Sequence, residues 1–157
     1  MDVEYVNSFI LATDNVLKTM AFVTPKVGKA FVKKENEILG EATGVLGLAN
    51  DTMKGSFAIA FSKKPILKIV SNMLGEKFEE INNEIIDAVG EITNMICGQA
   101  RGDLSKKGIN LNTGIPQMIQ GKDYHLYHKI RGPILTIPFE IDEGTFWVEV
   151  CLIENHS

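Results

Sequence analysis

The stretch DAVGEITNMICGQAR, residues 87–101, combines apolar residues at helical spacing with a line of polar ones. It lies in a segment, about 81–105, whose apolar residues recur every three or four positions, which predicts a long amphipathic helix. An α-helix turns by about 100° per residue, so Asp87, Glu91, Asn94 and Gly98 fall within about 60° of one another on one side. We call these four residues the polar strip, and the question is whether they do more than face water.

The opposite side of this helix is predicted to pack against the rest of the protein. Its apolar arc contains Ile85, Ile86, Val89, Ile92, Met95, Ile96 and Cys97. A polar face needs no special cause in such a helix, but a surface selected only for helicity uses Lys, Glu, Gln and Ala. This helix instead carries Gly90 and Gly98, and a mid-helix glycine costs about 0.5–1 kcal/mol relative to alanine. Gly98 removes bulk one turn beyond Asn94, where a partner could approach closely.

Around this helix the chain alternates between helix and strand patterns. The predicted helices are 3–20, 63–75 and 81–105, and the predicted strands are 27–34, 41–50, 55–62, 114–119, 123–130 and a final hairpin over 132–153. We expect Thr24-Pro25 to end the first helix. In the strand 55–62 the large residues Phe57, Ile59 and Phe61 alternate with small ones, and we expect a helix to pack closely on the small face.

The two halves of the chain follow the same order. Each reads helix, exit through a proline (Pro25 and Pro116), strand and then hairpin, and the last strand of each begins with glycine, a hydroxyl residue and phenylalanine, at 55–57 and 144–146. A chain of 157 residues has the size of one domain. We therefore expect one α+β domain over residues 1–157, with a possible internal duplication whose boundary lies near residues 62–80.

Charge and hydropathy exclude several classes of protein. The net charge is −4 and the basic residues come as scattered doublets, so a nucleic-acid binder is not expected. No apolar run approaches the roughly 18 residues that span a bilayer, and the first residues, MDVEYVNSFI, lack the positive charge of a secretory signal. We expect a cytoplasmic protein without membrane contact. Cys97 and Cys151 are then interpreted as small buried hydrophobic residues without a disulfide.

The spacing Asp87-x3-Glu91-x2-Asn94, followed 22 residues later by Pro116, resembles the signature of the CheC/CheX/FliY family of chemotaxis phosphatases. The resemblance covers essentially the whole chain. The single copy, the length and the opening FILATDNVLKTM are most similar to the CheX type. It implies a CheC-like fold: a tandem repeat of helix-plus-antiparallel-strands units, with one antiparallel sheet flanked by two long helices and a short one.

The same resemblance implies an enzyme, a protein aspartyl-phosphate phosphatase that acts on a phosphorylated CheY-type receiver. Asn94 would orient the attacking water and Glu91 would contact the active-site lysine of the receiver. Asp87 and Pro116 would support the site, and helix geometry suggests that Gly98 leaves clearance for the receiver. The phosphatase needs no cofactor of its own, because the receiver brings Mg²⁺.

The resemblance also predicts the number of sites and the assembly. CheC-type members carry the motif twice, whereas the first helix here has Asn15-x2-Lys18 at the comparable depth, so we expect one site per chain. CheX proteins form homodimers by pairing sheet edges. The hydrophobic segments PILTIPFEI and FWVEVCLI, residues 133–141 and 146–153, are candidate edges.

Other interpretations remain open at this point. One is a non-catalytic module that binds a receiver or a flagellar-switch protein, and another is a purely structural dimer domain. A zinc site at His125 and His128 is disfavoured, since no third ligand lies nearby and a strand would point the two in opposite directions. A glycosidase is disfavoured because Asp87 and Glu91 would lie side by side on one helix rather than flank a sugar bond.

Overall fold

The computed structural model describes residues 3–33, 37–121 and 132–154. Its helices are α1 Val3–Met20, α2 Lys63–Leu74 and α3 Asn83–Lys106. Its strands are β1 Lys26–Val27, β2 Phe31–Lys33, β3 Ala42–Ala49, β4 Met53–Phe61, β5 Asn112–Thr113, β6 Gln117–Gln120, β7 Ile134–Ile141 and β8 Gly144–Glu154. The predicted strand over 123–130 lies outside the described residues, as do His125 and His128.

One antiparallel sheet contains all eight strands of the described residues. The order β1-β7-β8-β4-β3-β5 runs across it, β2 also pairs with β7, and β6 also pairs with β3. The long central strands β4 and β8 pair with each other from Met53↔Glu154 to Phe61↔Phe146. Together with the three helices, this confirms the predicted α+β class with an antiparallel sheet.

The two halves of the chain occupy matching places in the sheet. In each half the edge strand is interrupted: the step from Val27 to Phe31 lies opposite Phe139 to Thr136, and the step from Thr113 to Gln117 lies opposite Leu48 to Val45. Each edge strand therefore advances four residues while its neighbour advances three. The edge strand carries one extra residue, which is the geometry of a β-bulge. The internal duplication near 62–80 stays a prediction, and this correspondence supports it.

The helices pack on the face of the sheet with the large side chains, so the expectation for β4 was wrong. Phe9 of α1 stacks on Phe57 with ring centroids 5.0 Å apart, in the same core cluster as Ile59 and Phe61. Ala58 points to the other face, where it packs with Val45 and Ile119. Large side chains fill the roughly 10 Å between a sheet and a packed layer, whereas small ones would leave a void. A buried ion pair, Lys33–Glu149, lies on the face of Ala58.

The ends of several elements differ from the prediction for local reasons. The first helix ends at Met20, before Thr24-Pro25, because Phe22 adopts the left-handed region with φ of 57°. The predicted strand 27–34 forms the two short strands β1 and β2. Strands β7 and β8, proposed as dimer edges, both have neighbours on each side and are interior. The free edges of the described sheet are β1–β2 and β5–β6.

Candidate functional site

Helix α3 carries the polar strip and is held firmly on the sheet. The side chain of Asn82 caps its first turn by accepting a hydrogen bond of 3.0 Å from the Ile85 N–H. The inward face is buried: Ile85, Ala88, Val89, Gly90, Ile92, Thr93, Ile96, Cys97, Ala100 and Leu104. A rigid helix of this length can present side chains to a partner in a fixed geometry.

Two glycines set how closely α3 approaches the sheet. A Cβ at Gly44 of β3 would lie 2.0 Å from Thr93 Oγ1, and a Cβ at Gly90 would lie 2.9 Å from the Met118 sulfur of β6. Gly90 is therefore a packing glycine, and its helix-propensity cost is offset by close contact with the sheet. This explains one of the two glycines that appeared unusual in the sequence.

The polar strip faces outward along its whole length. Asp87, Glu91, Asn94 and Gly98 are all exposed. Within residues 3–33, 37–121 and 132–154, no hydrogen bond or ion pair engages the side chains of Asp87, Glu91 or Asn94. A Cβ built at Gly98 has nothing within 4 Å in the part of the chain that the structure describes, so Gly98 packs against none of it. The carboxamide of Asn94 is thus free to enter another molecule, which an inward orientation would have prevented.

Helix α1 borders the polar strip on one side. It runs antiparallel to α3, because Asn15 donates to Gln99 Oε1 at 2.7 Å and Ser8 donates to Asp103 Oδ2 at 2.6 Å. The Ser8 hydrogen bond, with Lys107 next in importance, lowers the pKa of the Asp103 carboxyl from its ordinary value. These contacts tie the two helices together along their length.

The segment leading into β6 borders the other side. Arg101 Nε donates to the Leu111 carbonyl at 2.7 Å, and Met118 packs at Gly90 as described above. Pro116 lies between these two contacts and is half-buried. The family resemblance implied a supporting role for it, and the chain path puts it alongside the middle of α3.

The matching positions on α1 are already engaged within the chain. Asn15 bonds Gln99, and Lys18 Nζ forms an ion pair with Asp14 at 2.8 Å. Neither supplies the carboxylate and free carboxamide found at Glu91 and Asn94. This difference agrees with one site per chain, which remains a prediction.

Other chemistries find little support in the described part of the chain. It contains no group of three or more His, Cys, Asp or Glu side chains placed to hold a metal ion. None of its helices combines the length and apolar character needed to cross a membrane. Cys97 and Cys151 are buried and unbridged, as predicted. Burial raises the pKa of the Cys97 thiol to about 12, so it stays protonated and unreactive at neutral pH.

One exposed residue beside the polar strip was not singled out from the sequence. Ile115 precedes Pro116 and is 87% exposed. The only signal in the sequence is an apolar residue isolated in the loop Gly114-Ile115-Pro116, and such residues are common enough to pass unnoticed.

Comparison with known proteins identifies the family. The family model described as "Chemotaxis phosphatase CheX" matches residues 42–140. The CheY-P phosphatase CheX of Thermotoga maritima is 28% identical over 142 residues, 90% of each chain. The crystal structure of a CheC-like superfamily protein from Shewanella sp. PV-4 superimposes with a TM-score of 0.90 at 40% identity, covering 98% of this chain and 99% of that one.

A third structure, the CheX–CheY–BeF3–Mg²⁺ complex from Borrelia burgdorferi, shares the fold with a TM-score of 0.77 at 24% identity, covering 94% and 97% of the two chains. The family match extends from β3 through α3 into β7 and so includes every residue of the polar strip. The chain belongs to the chemotaxis phosphatase CheX family.

Proposed function

We propose that this phosphatase hydrolyses the aspartyl phosphate of a CheY-type receiver, using the polar strip of α3. The observation that carries the proposal is the exposed pair Glu91 and Asn94 on one side of a rigid helix, which no hydrogen bond or ion pair of the described residues engages. The Thermotoga maritima relative is named as a CheY-P phosphatase, and the Borrelia burgdorferi structure is a complex of CheX with CheY. Both support a receiver as the partner.

The chemistry requires positioning rather than a new nucleophile. Phosphoryl transfer proceeds through a loose transition state, so catalysis depends on aligning the water and stabilising charge. The Asn94 carboxamide offers an acceptor and two donors, which can hold a water in line with the phosphorus without acting as a strong base. Mg²⁺ would come with the receiver, as the presence of Mg²⁺ in the Borrelia burgdorferi complex suggests. No metal or cofactor of the phosphatase enters the step.

The other residues of the site would orient the encounter. Glu91 lies about one helical turn from Asn94, and its carboxylate would form a charge-assisted contact with the active-site lysine of the receiver. Asp87 continues the same line and Pro116 lies beside it, both in supporting roles. Gly98 would allow the receiver to approach α3 without meeting a side chain.

The test is loss of phosphate from CheY that has been phosphorylated with acetyl phosphate in the presence of Mg²⁺. Asn94→Ala should slow dephosphorylation at least about tenfold, or 1.4 kcal/mol, while receiver binding is largely kept. Glu91→Ala should also raise the KM for the phosphorylated receiver, because it removes a docking contact.

Asn15→Ala is the matched control, since Asn15 is an exposed helical asparagine at the comparable depth on α1. It should leave the rate unchanged. Full activity of both Asn94→Ala and Glu91→Ala would remove the catalytic proposal. Binding of the phosphorylated receiver without turnover by the wild type would favour the non-catalytic module instead.

The predicted homodimer is also a proposal. Since β7 and β8 are interior, we place the dimer contact at the β1–β2 edge, where Val27 is 48% exposed and Val32 is 64% exposed. An unpaired edge with apolar side chains favours strand pairing. Sedimentation of Val32→Lys should then show a shift toward monomer, and an unchanged dimer would assign the contact elsewhere.

A further inference from the structure

The loop between β5 and β6 presents one apolar side chain directly to solvent. Ile115 is 87% exposed, the highest fraction among the large hydrophobic residues of the described chain. Single exposed hydrophobic residues are common and need no explanation by themselves. Its position relative to Asn94 is what gives Ile115 a role.

The path of the chain places Ile115 beside Asn94. The segment runs antiparallel to α3: Leu111 contacts Arg101 near one end, and Met118 contacts Gly90 further on. Ile115 lies just past halfway from Leu111 to Met118, and the corresponding point between Arg101 and Gly90 is the turn of α3 that contains Asn94.

Of the four residues of the polar strip, Asn94 lies closest, around the helix axis, to the side of α3 that this loop contacts. Gly90 and Arg101, the α3 residues that the segment contacts, lie within about 40° of Asn94 around the helix axis. Glu91 lies about 80° or more from both. A molecule that receives the Asn94 side chain therefore approaches on the same side as Ile115.

The loop holds Ile115 in a fixed position. Just before it, Thr113 pairs with Leu48 and the Gly114 N–H donates to the Gly47 carbonyl at 3.1 Å. Directly after it, Pro116 restricts the backbone. A loop backbone that is already ordered loses little entropy when a partner covers it, which favours binding.

We propose that Ile115 is an affinity-determining contact residue for the phosphorylated receiver, next to the catalytic carboxamide. The proposal rests on the proposed function of the polar strip. A specific protein interface covers about 800 Å² on each partner, so a receiver seated on Asn94 extends over its immediate neighbours. Ile115 then loses its exposed apolar surface to the receiver, and that burial favours association.

This contact complements the charges of the polar strip. In the proposed function Glu91 attracts the active-site lysine of the receiver, but salt screens attraction between exposed charges. Apolar burial is not screened. The contribution of Ile115 should therefore persist at an ionic strength that weakens the contribution of Glu91.

The experiment measures KM and kcat for dephosphorylation of CheY treated with acetyl phosphate and Mg²⁺, at about 0.1 M and 0.5 M salt. Ile115→Ala should raise KM about tenfold with kcat within about twofold, at both salt concentrations. Its thermal midpoint should match the wild type, because the side chain contacts little of its own protein. Ile115→Leu should restore a KM near the wild-type value.

Phe22→Ala is the matched control. Phe22 is 76% exposed, and it lines a cavity with Lys26 and Glu140, beside β1 and β7 rather than β6. The truncation removes a larger exposed side chain near the opposite edge of the sheet and should leave KM unchanged.

The outcomes separate the two proposals. An unchanged KM for Ile115→Ala, with Asn94→Ala still slowed at least about tenfold, overturns the role of Ile115 and leaves the proposed function intact. A wild type that never removes phosphate from the receiver overturns the proposed function, and the role of Ile115 falls with it. An equal rise in KM for Ile115→Ala and Phe22→Ala also overturns the specific contact.

Discussion

The inner and the outer face of α3 share one backbone but serve different requirements. On the inner face, Ile92 and Thr93 are fully buried against the sheet and core. On the outer face, Glu91 and Asn94 directly flank them in sequence, and no hydrogen bond or ion pair from the described residues engages their side chains. Substitutions on the inner face should act on the free energy of unfolding. Those on the outer face should act on the encounter with the receiver.

The glycines show why residue type alone does not reveal which requirement applies. Gly90 and Gly98 are the same residue in the same helix, yet a Cβ at Gly90 meets the Met118 sulfur and a Cβ at Gly98 meets open space. A third helical glycine, Gly102, is also open. Only the position around the helix axis, relative to the sheet, separates a packing glycine from one that leaves access.

The largest effect is expected where the sheet meets the inner face. Gly44→Ala should destabilise the protein by about 1–3 kcal/mol, because the new methyl group overlaps Thr93 Oγ1 and forces α3 outward. Urea denaturation measures the loss. Gly47→Ala is the matched control on the same strand, since nothing lies within 4 Å of its Cβ, and it should unfold like the wild type.

A double variant sharpens this prediction. Thr93→Ala removes the hydroxyl that the Gly44 methyl would meet, so Gly44→Ala should cost less in that background. Equal costs in both backgrounds would show that the overlap with Thr93 is not the source of the destabilisation.

The next effect is absent near neutral pH, appears only in alkali, and comes from the buried thiol on the inner face. The pKa of Cys97 is about 12 in the folded protein because burial disfavours the thiolate, against an ordinary value of 9.0. Above pH 9 the unfolded chain releases this proton while the folded chain keeps it. The thiol's contribution is therefore complete below pH 9, and stability falls by about 1.4 kcal/mol per pH unit above it, up to about pH 12.

Comparing Cys97→Ala with the wild type isolates this contribution. The variant lacks the thiol, so its free energy of unfolding should decline less steeply between pH 9 and pH 11 in chemical denaturation. Parallel pH profiles for the two proteins would contradict a buried, protonated Cys97.

The smallest effect on stability is expected on the outer face, and it has the opposite sign. Gly98→Ala should stabilise the protein by about 0.5–1 kcal/mol through helix propensity, since no neighbour obstructs the methyl group. The same variant should dephosphorylate the receiver more slowly, because it adds bulk one turn from Asn94. A thermal melt and the phosphate-loss assay measure the two effects.

Gly102→Ala provides the comparison for that trade-off. It lies one turn further from Asn94 and is equally open, so it should give a similar gain in stability with a smaller loss of rate. If Gly98→Ala keeps the full rate, the clearance role of Gly98 is wrong.

Local sequence patterns predicted much of the fold. The 3.6-residue periodicity of residues 3–20 and 81–105 predicted both long helices to within a few residues, and the turn at Asn50-Asp51 predicted the β3–β4 hairpin. Such signals lie within one element and depend on nearby residues. The prediction that a helix covers the small face of β4 was wrong. Which face of a strand the helices cover depends on how distant parts of the chain pack, and the local pattern does not contain that information.

The candidate site also has features that the local sequence predicts and features that depend on tertiary packing. The line of Asp87, Glu91 and Asn94 follows from helical spacing alone, and so does its separation from the apolar arc. That these side chains remain exposed and unengaged depends on where α1 and the β5–β6 loop pack. The sequence could not assign a role to Ile115. Its position near Asn94 follows from the antiparallel packing of residues 111–118 on α3, which joins residues far apart in the sequence.

By itself, the sequence determined the elements, the chemical groups available on α3 and the family signature, because these are properties of residues close together along the chain. Only the tertiary structure decided which glycine packs and which stays open, which strands are edges and which apolar side chain borders the carboxamide. Those outcomes follow from packing between segments far apart in the chain, where close contact and exclusion of water depend on all of them at once.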